Sequence, residues 1–195
     1  MAESIGYVRE RNNDIILSII IPTYNMEKYL GKCVDSIVSS SRGAHVEVLI
    51  VNDGSRDGSL DIAKKRAIEY PNTVKVIDKE NGGHGSAINV GVAQCVGKYF
   101  RIVDADDWVD TDELDKLVDT LFDTDADCII CNYTECYEAD NGMITKDMIG
   151  DIVQGIKIPI KDYVARNRLA MHSVTYNTDK YRAMNVELTE NCFYV

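Results

Sequence analysis

In Phe100-Arg101-Ile102-Val103-Asp104-Ala105-Asp106-Asp107-Trp108 a short apolar run stops on three carboxylates and one indole ring. Such a run reads as a buried strand that ends at a charged site. Asp104 and Asp106 lie two residues apart, so extended backbone would place both on one face, a parity that a turn beyond the strand only approximates. Crowded carboxylates repel one another unless solvent or a cation relieves them, and hard divalent ions such as Mg²⁺ or Mn²⁺ are the natural partners of oxygen ligands. The stretch therefore predicts a metal site at the carboxyl end of a strand. The alternative is an acidic turn that caps a helix starting near Thr111.

The elements that would position this stretch repeat along the first half of the chain. Residues 15–21 are a nearly continuous β-branched run closed by Pro22, the composition of a strand covered on both faces. Tyr29, Leu30, Cys33, Val34, Ile37 and Val38 recur at helical spacing and predict a helix over 26–40. Residues 46–51 predict a second strand, 52–59 a turn rich in glycine and capping residues, and 60–70 a helix stopped by Pro71-Asn72. A third strand at 74–77 leads through Asn81-Gly82-Gly83-His84-Gly85-Ser86 into a helix carrying Ala87, Ile88, Val92 and Cys95, and 99–103 is the fourth strand. Alternation of this kind predicts an α/β fold: a Rossmann-like, open, mostly parallel sheet flanked by helices, with right-handed crossovers. Ligands of such sheets sit at the carboxyl ends of the strands. Pro22-Thr23-Tyr24-Asn25, Asn52-Asp53-Gly54 and the carboxylate cluster all follow strands, and that convergence favours the metal reading.

Composition narrows the ligand. With 195 residues and 45% hydrophobic content the chain can bury one good core. Lys+Arg of 21 against Asp+Glu of 32 gives a formal net charge of -11, which argues against nucleic acid or a general anionic membrane surface as partner. A phosphate-bearing ligand would need a metal or local donors. The six cysteines are scattered through apolar segments, as expected of reduced thiols, and Cys128-Ile129-Ile130-Cys131 lacks the second pair that a zinc site needs. No signal peptide opens the chain and no apolar run reaches spanning length, so a cytoplasmic protein is expected, at the inner face of the membrane if a missing C-terminal region associates with it.

Four motifs in order resemble the family 2 glycosyltransferases of the GT-A fold. They are Ser18-Ile19-Ile20-Ile21-Pro22-Thr23-Tyr24-Asn25; Val51-Asn52-Asp53-Gly54-Ser55 with Asp57-Gly58-Ser59; Asn81-Gly82-Gly83 with Ala87 and Asn89 to Gly91; and Asp104-Ala105-Asp106-Asp107-Trp108. The resemblance implies inverting transfer of a sugar from a nucleotide diphosphate sugar, expected to be UDP-linked, to a hydroxyl of a saccharide or lipid-linked acceptor in cell-surface polysaccharide or glycolipid synthesis. It implies that Asp53 contacts the base, where a carboxylate can accept from the imide N–H of uracil. Pro22, Thr23, Tyr24 and Glu27 would line the nucleotide pocket, and Asn81, Gly82 and Gly83 would complete the substrate site. Asp104 would lie near the ribose or a metal-bound water, Asp106 would ligate Mn²⁺ or Mg²⁺ directly, and Asp107 would either support them or cap the next helix. Such a metal bridges the two donor phosphates and acts as a Lewis acid on the departing diphosphate. Many relatives have Arg where this chain has Ile88; His84 and the N–H groups of residues 83–86 are the candidate substitutes, with a solvated loop histidine as the plainer reading.

On this reading residues 1–14 are an N-terminal arm, 15–110 the nucleotide-sugar-binding half and 111–195 a mixed acceptor-side half. The last should contain an amphipathic helix over 111–124, a strand over 127–133, an irregular hairpin around Asn141-Gly142, a helix over 160–169 and a short strand over 171–176. His172 could approach the metal or the diphosphate, or be a buried structural histidine. The general base of similar enzymes is an Asp that follows a Phe-Tyr-containing strand, whereas this chain stops at Cys192-Phe193-Tyr194-Val195 and so reads as truncated before its base. Glu190 is the nearby carboxylate that could serve instead, or else a turn residue. Two rival enzymes fit less well. A haloacid-dehalogenase-type phosphatase would want Thr or Val where Trp108 stands, and a sugar-nucleotide pyrophosphorylase would open with a basic, glycine-rich loop. A nucleotide-sugar-binding module without turnover differs from the transferase only in activity.

Overall fold

The computed structural model describes residues 9–10, 12–137, 142–150, 155–164 and 169–192. Leu17–Thr23 (β1), Val46–Asp53 (β2), Val74–Lys79 (β3) and Tyr99–Ile102 (β4) pair in parallel in the spatial order β3-β2-β1-β4. Leu30–Val38 (α1), Ser59–Glu69 (α2) and His84–Gln94 (α3) connect them. Every residue of β1 and β2 is buried, which is why both read as predominantly apolar, with Ser18 and Glu47 the buried polar exceptions in their first halves. Alternation along the strands splits the core in two. Leu17, Ile19, Ile21, Val48 and Ile50 face Leu30, Cys33, Val34 and Ile37 of α1, whereas Ile20, Leu49, Val51, Phe100 and Ile102 face Ala87, Ile88 and Val92 of α3. Each large apolar side chain so buried contributes about 1.5–3 kcal/mol.

β1 runs on through Pro22 to Thr23, two residues past the expected end. Val103 N–H donates to Ile20 O (3.0 Å), so that edge of β1 faces β4. Pro22 has the same parity, and its ring nitrogen points past the end of β4, where no ladder bond is lost. The chain then turns, and α1 starts at Leu30 rather than near 26; in the turn before it the Met26 and Glu27 N–H groups donate to Ser59 Oγ (2.7 Å) and Asp57 Oδ2 (3.1 Å).

Thr111–Asp123 (α4) forms as expected, packing Leu114, Val118 and Leu121 into the α1 side of the core. Beyond it the architecture departs from the sequence reading. The strand expected over 127–133 is confined to Cys128–Ile130 (β5), while Tyr133–Tyr137 (β6) and Gly142–Lys146 (β7) pair antiparallel as the expected hairpin, apart from the main sheet. Asn141 of the expected turn, most of the N-terminal arm and residues 193–195 lie outside the described residues. The helix expected over 160–169 is described at Ile160–Val164 (α5). Residues 171–176 divide into a 3₁₀ turn, Met171–Ser173, and a strand, Val174–Asn177 (β8), with an unforeseen helix, Thr178–Ala183 (α6), after it. β8 inserts antiparallel between β4 and β5, so the six-stranded sheet continues across the boundary expected at residue 110. Among the described residues no helix is long and apolar enough to cross a membrane.

The connection from β3 to β4 passes back over β2 and β1, reversing the strand order between β1 and β4. In open α/β sheets a ligand crevice lies at that reversal, outside the carboxyl ends of the strands.

Candidate active site

The loops after β1 and β2 are stapled to each other on one side of this crevice. Asn25, held at φ 56°, donates from its N–H to Ser55 Oγ (3.1 Å) and accepts from the Arg56 N–H at Oδ1 (2.8 Å). Glu27 accepts the Gly58 N–H at 2.7 Å, and Asp57 accepts from both the N–H (3.0 Å) and the hydroxyl of Ser59. The predicted pocket residues therefore have distinct places. Pro22 and Thr23 are buried, with the Thr23 hydroxyl donating to Ile21 O (3.1 Å); Glu27 is committed to the neighbouring loop; the Tyr24 ring stands 43% exposed at the rim, available to a flat ligand.

Asp53 is the hub of the second side. Its Oδ1 accepts the Gly82 N–H (2.9 Å) and the Lys79 ammonium (2.6 Å), its Oδ2 accepts the Gly83 N–H (2.8 Å), and its carbonyl accepts the Asn81 side-chain amide (2.8 Å). Asn81, Gly82 and Gly83 are thus fixed against the end of β2. Two glycines make the fit possible: Gly54 at φ 69° lets Asn81 N approach to where a Cβ would stand 2.9 Å away, and Gly83 at φ 86° turns the chain into α3. Lys79 was not foreseen as part of the site; its only sequence signal was a cation at the end of β3.

Asp104, at the end of β4, accepts at Oδ1 from the His84 ring Nε2 (2.9 Å), both side chains one-third exposed. His84 is therefore not a solvated loop residue but a link between the start of α3 and the carboxylate cluster. Ile88 is 1% exposed in the core, which places the side chain at that position away from any phosphate. Asp107 N–H donates to Asp104 O (2.9 Å), closing a turn that leaves the Asp106 and Asp107 side chains exposed. The capping alternative for this cluster fails, because the N-cap of α4 is Asp110, whose side chain accepts from the Asp112 and Glu113 N–H groups. Although the Asp107 side chain reaches solvent, the protein packed around it, and then the Asp104 and Asp106 charges, push its carboxyl above the ordinary range, with His172 opposing. Beneath them the Cys33 thiol is pushed up to about 12 by burial, then by the charges of Asp107, Asp104 and Asp106, so it serves as core rather than nucleophile. Trp108 stands 45% exposed with Lys32 Nζ 3.1 Å from its ring centroid.

A cation fits this negative field. Among the described residues no three His, Cys, Asp or Glu groups converge to hold an ion alone. An all-oxygen set of one or two carboxylates completed by ligand phosphates and water is, however, the ordinary way Mg²⁺ is held beside a diphosphate. Asp104 and the exposed Asp106 offer that set.

In the C-terminal part of the chain His172 lies in the 3₁₀ turn before β8, its ring edge-on to Tyr133 (4.3 Å between centroids) and its carbonyl accepting from Arg101 (2.5 Å). Exposed Glu190 lies in a segment that returns to the glycine loop, where Asn191 N–H donates to Gly82 O (2.8 Å).

The family described as Glycosyl transferase family 2 matches residues 18–193. Glycosyltransferase GlyA of Streptococcus pneumoniae is 36% identical over 135 residues, 69% of this chain but 19% of that protein. S. aureus TarS 1-349, solved in complex with UDP-GlcNAc, superposes with a TM-score of 0.73 at 23% identity, covering 90% of this chain and 49% of that one. The mannosyltransferase PcManGT from Pyrobaculum calidifontis, solved with GDP-Man and Mn²⁺, gives a TM-score of 0.54 at 23% identity, covering 67% and 39%. The chain thus spans about a fifth of the length of that curated relative and about half of the TarS fragment. The two structural likenesses speak for the fold.

Proposed function

Because the chain belongs to glycosyl transferase family 2, we propose that it binds a nucleotide diphosphate sugar across the crevice between β1 and β4 and transfers the sugar with inversion to an acceptor hydroxyl. The observation that carries the proposal is the preassembly of that crevice: the 24–27 loop stapled on one side, the glycine loop fixed by Asp53 on another, and Asp104 held by His84 between them. A family phosphatase or pyrophosphorylase reading has no such support.

Residues 15–110 would hold the donor and 111–195 the acceptor side. Tyr24 packs on the base, and Asp53 keeps one lone pair on Oδ2 after its bond to Gly83, which suits a base with a ring N–H donor such as the imide of uracil. The relative solved with UDP-GlcNAc supports a UDP-linked sugar, and the one solved with GDP-Man and Mn²⁺ supports a divalent ion. Asp106 and Asp104 would hold Mn²⁺ or Mg²⁺, which when bound supplies positive charge opposite the departing diphosphate. His84 fixes Asp104 in orientation, and the buried Ile88 leaves phosphate contacts to backbone N–H groups and the metal. In the displacement the acceptor oxygen bonds to the anomeric carbon opposite the breaking C–O(phosphate) bond. The hydroxyl proton passes to a carboxylate, for which Glu190 is our candidate, and the nucleoside diphosphate leaves. The acceptor proposed is a saccharide or lipid-linked sugar of polysaccharide or glycolipid synthesis.

Calorimetric titration with UDP, dTDP and GDP, each with and without Mn²⁺, followed by transfer assays with the corresponding sugars, tests this. Metal-dependent binding of UDP above the others is expected. No binding of any nucleoside diphosphate would sink the proposal, and binding without transfer or donor hydrolysis would reduce the protein to a nucleotide-sugar-binding module.

A further inference from the structure

Residues 188–191 lie directly on the N-terminal turn of α3, and the fit is built from both sides. The Asn89 side chain donates from Nδ2 to Leu188 O (2.9 Å) and accepts the Leu188 N–H at Oδ1 (2.9 Å), reproducing with an amide the two bonds of a strand bridge. Asn191 N–H donates to Gly82 O at 2.8 Å, and Asn191 adopts φ 53° to do so. Gly85, four residues before Asn89 and so on the same helix face, has no room for a side chain: a Cβ there would stand 2.4 Å from Thr189 O. A Cβ on Gly83 would stand 3.0 Å from Asn191 N. Leu188 packs against the α3 side of the core.

The loop that receives this segment is the same one whose Gly82 and Gly83 N–H groups hold the Asp53 carboxylate and whose His84 holds Asp104. Leu188 and Asn191, bonded on either side, locate Glu190 between them.

We infer that Asn89 is a positioning residue: it latches the acceptor-side segment 188–191 onto the glycine loop, so that ordering the loop and docking the segment are one coupled event. The coupling rests on the donor reading given above, whereas the latch itself does not. By linkage, a nucleotide that orders the loop must strengthen the docking, and loss of the docking must weaken the nucleotide by the same factor.

Amide hydrogen exchange of wild type, Asn89→Ala and Gly85→Ala, each without nucleotide and with saturating UDP plus Mn²⁺, tests it. The two variants attack the latch from opposite chemical directions. Asn89→Ala deletes the two bonds, while Gly85→Ala improves helix propensity but puts a methyl against Thr189, so a general weakening of α3 predicts opposite effects and the latch predicts the same one. Without nucleotide, exchange across residues 186–192 should speed by about 10- to 30-fold in both variants, the worth of one or two ordinary hydrogen bonds, while Ile20 and Ile50 keep wild-type protection. With UDP and Mn²⁺, Leu188 and Asn191 should slow in the wild type, and Asn89→Ala should bind UDP more weakly, by up to the factor of that slowing and by all of it where the segment is fully released. Unchanged exchange over 186–192 in either variant overturns the latch. Release of the segment with UDP affinity unchanged overturns the coupling. If wild type binds no UDP, the donor reading and the coupling fall together, and the nucleotide-free comparison still decides the latch.

Discussion

Asp53→Ala separates two roles that one carboxylate could play. The Asp53 side chain is 3% exposed and accepts from Gly82 N–H, Gly83 N–H and Lys79 Nζ. Truncation leaves two backbone donors unmet and Lys79, 19% exposed, with Glu80 O as its remaining acceptor. Removing one partner of a buried pair costs about 3–5 kcal/mol, and the partial exposure of Lys79 puts this case near about 3 kcal/mol. For a chain of this size that corresponds to a fall of about 6–12 °C in Tm. Thermal unfolding without nucleotide measures it, and UDP titration with and without Mn²⁺ measures binding in the same samples. The expected result is both a lower Tm and weaker UDP binding by a similar factor in the two metal conditions, because Asp53 acts through the base and the glycine loop. A Tm within about 2 °C of wild type would show that the loop is not held by Asp53. An affinity loss seen only with Mn²⁺ would move Asp53 to the metal.

Asp106→Ala should leave weak UDP binding that no longer responds to Mn²⁺; a wild-type metal response removes Asp106 as a ligand. UDP with Mn²⁺ at about 100 times its Kd should stabilise the wild type by about 2.7 kcal/mol, read as an upward Tm shift, and a flat melt at that saturation contradicts preferential binding to the folded state. Glu190→Gln should lower transfer while sparing UDP affinity, and transfer at the wild-type rate excludes Glu190 as the base. At the opposite end of the sheet burial alone would raise Glu47, but bonds from Lys75, Ser18 and the Val96 N–H outweigh it and hold the carboxyl below its ordinary value. A depressed folded-state pKa gives stability that is present above the unfolded value of about 4.3 and lost as pH falls through the folded one. Glu47→Gln should accordingly flatten the fall in Tm below about pH 4.3, and an unchanged acid profile would show that Glu47 does not drive it.

What was legible in the chain follows from how far apart the partners are. β1 and β2 announce themselves because each is buried on both faces, and burial is written into consecutive residues; β4 does so through Tyr99, Phe100 and Ile102, with Arg101 half-buried. The N-cap at Asp110 is equally local and removes the capping alternative for the Asp104 cluster, since its carboxylate reaches only two and three residues ahead. β8 is legible as a strand but not in its start or its neighbours, because its partners in β4 and β5 lie 44 to 78 residues away and its half-buried partner β5 has no alternation to read. The site divides in the same way. Its members at strand ends were found from the strands, but the His84–Asp104 bond spans 20 residues and the Asn89–Leu188 bonds span 99, so neither leaves a periodic trace. The glycines are the sharpest case. A glycine-rich loop at a helix start reads as room for phosphate, yet Gly83 and Gly85 also make room for the backbone of residues 189–191. The requirement for no side chain is the same in both readings, and only the tertiary partner says which atom comes close.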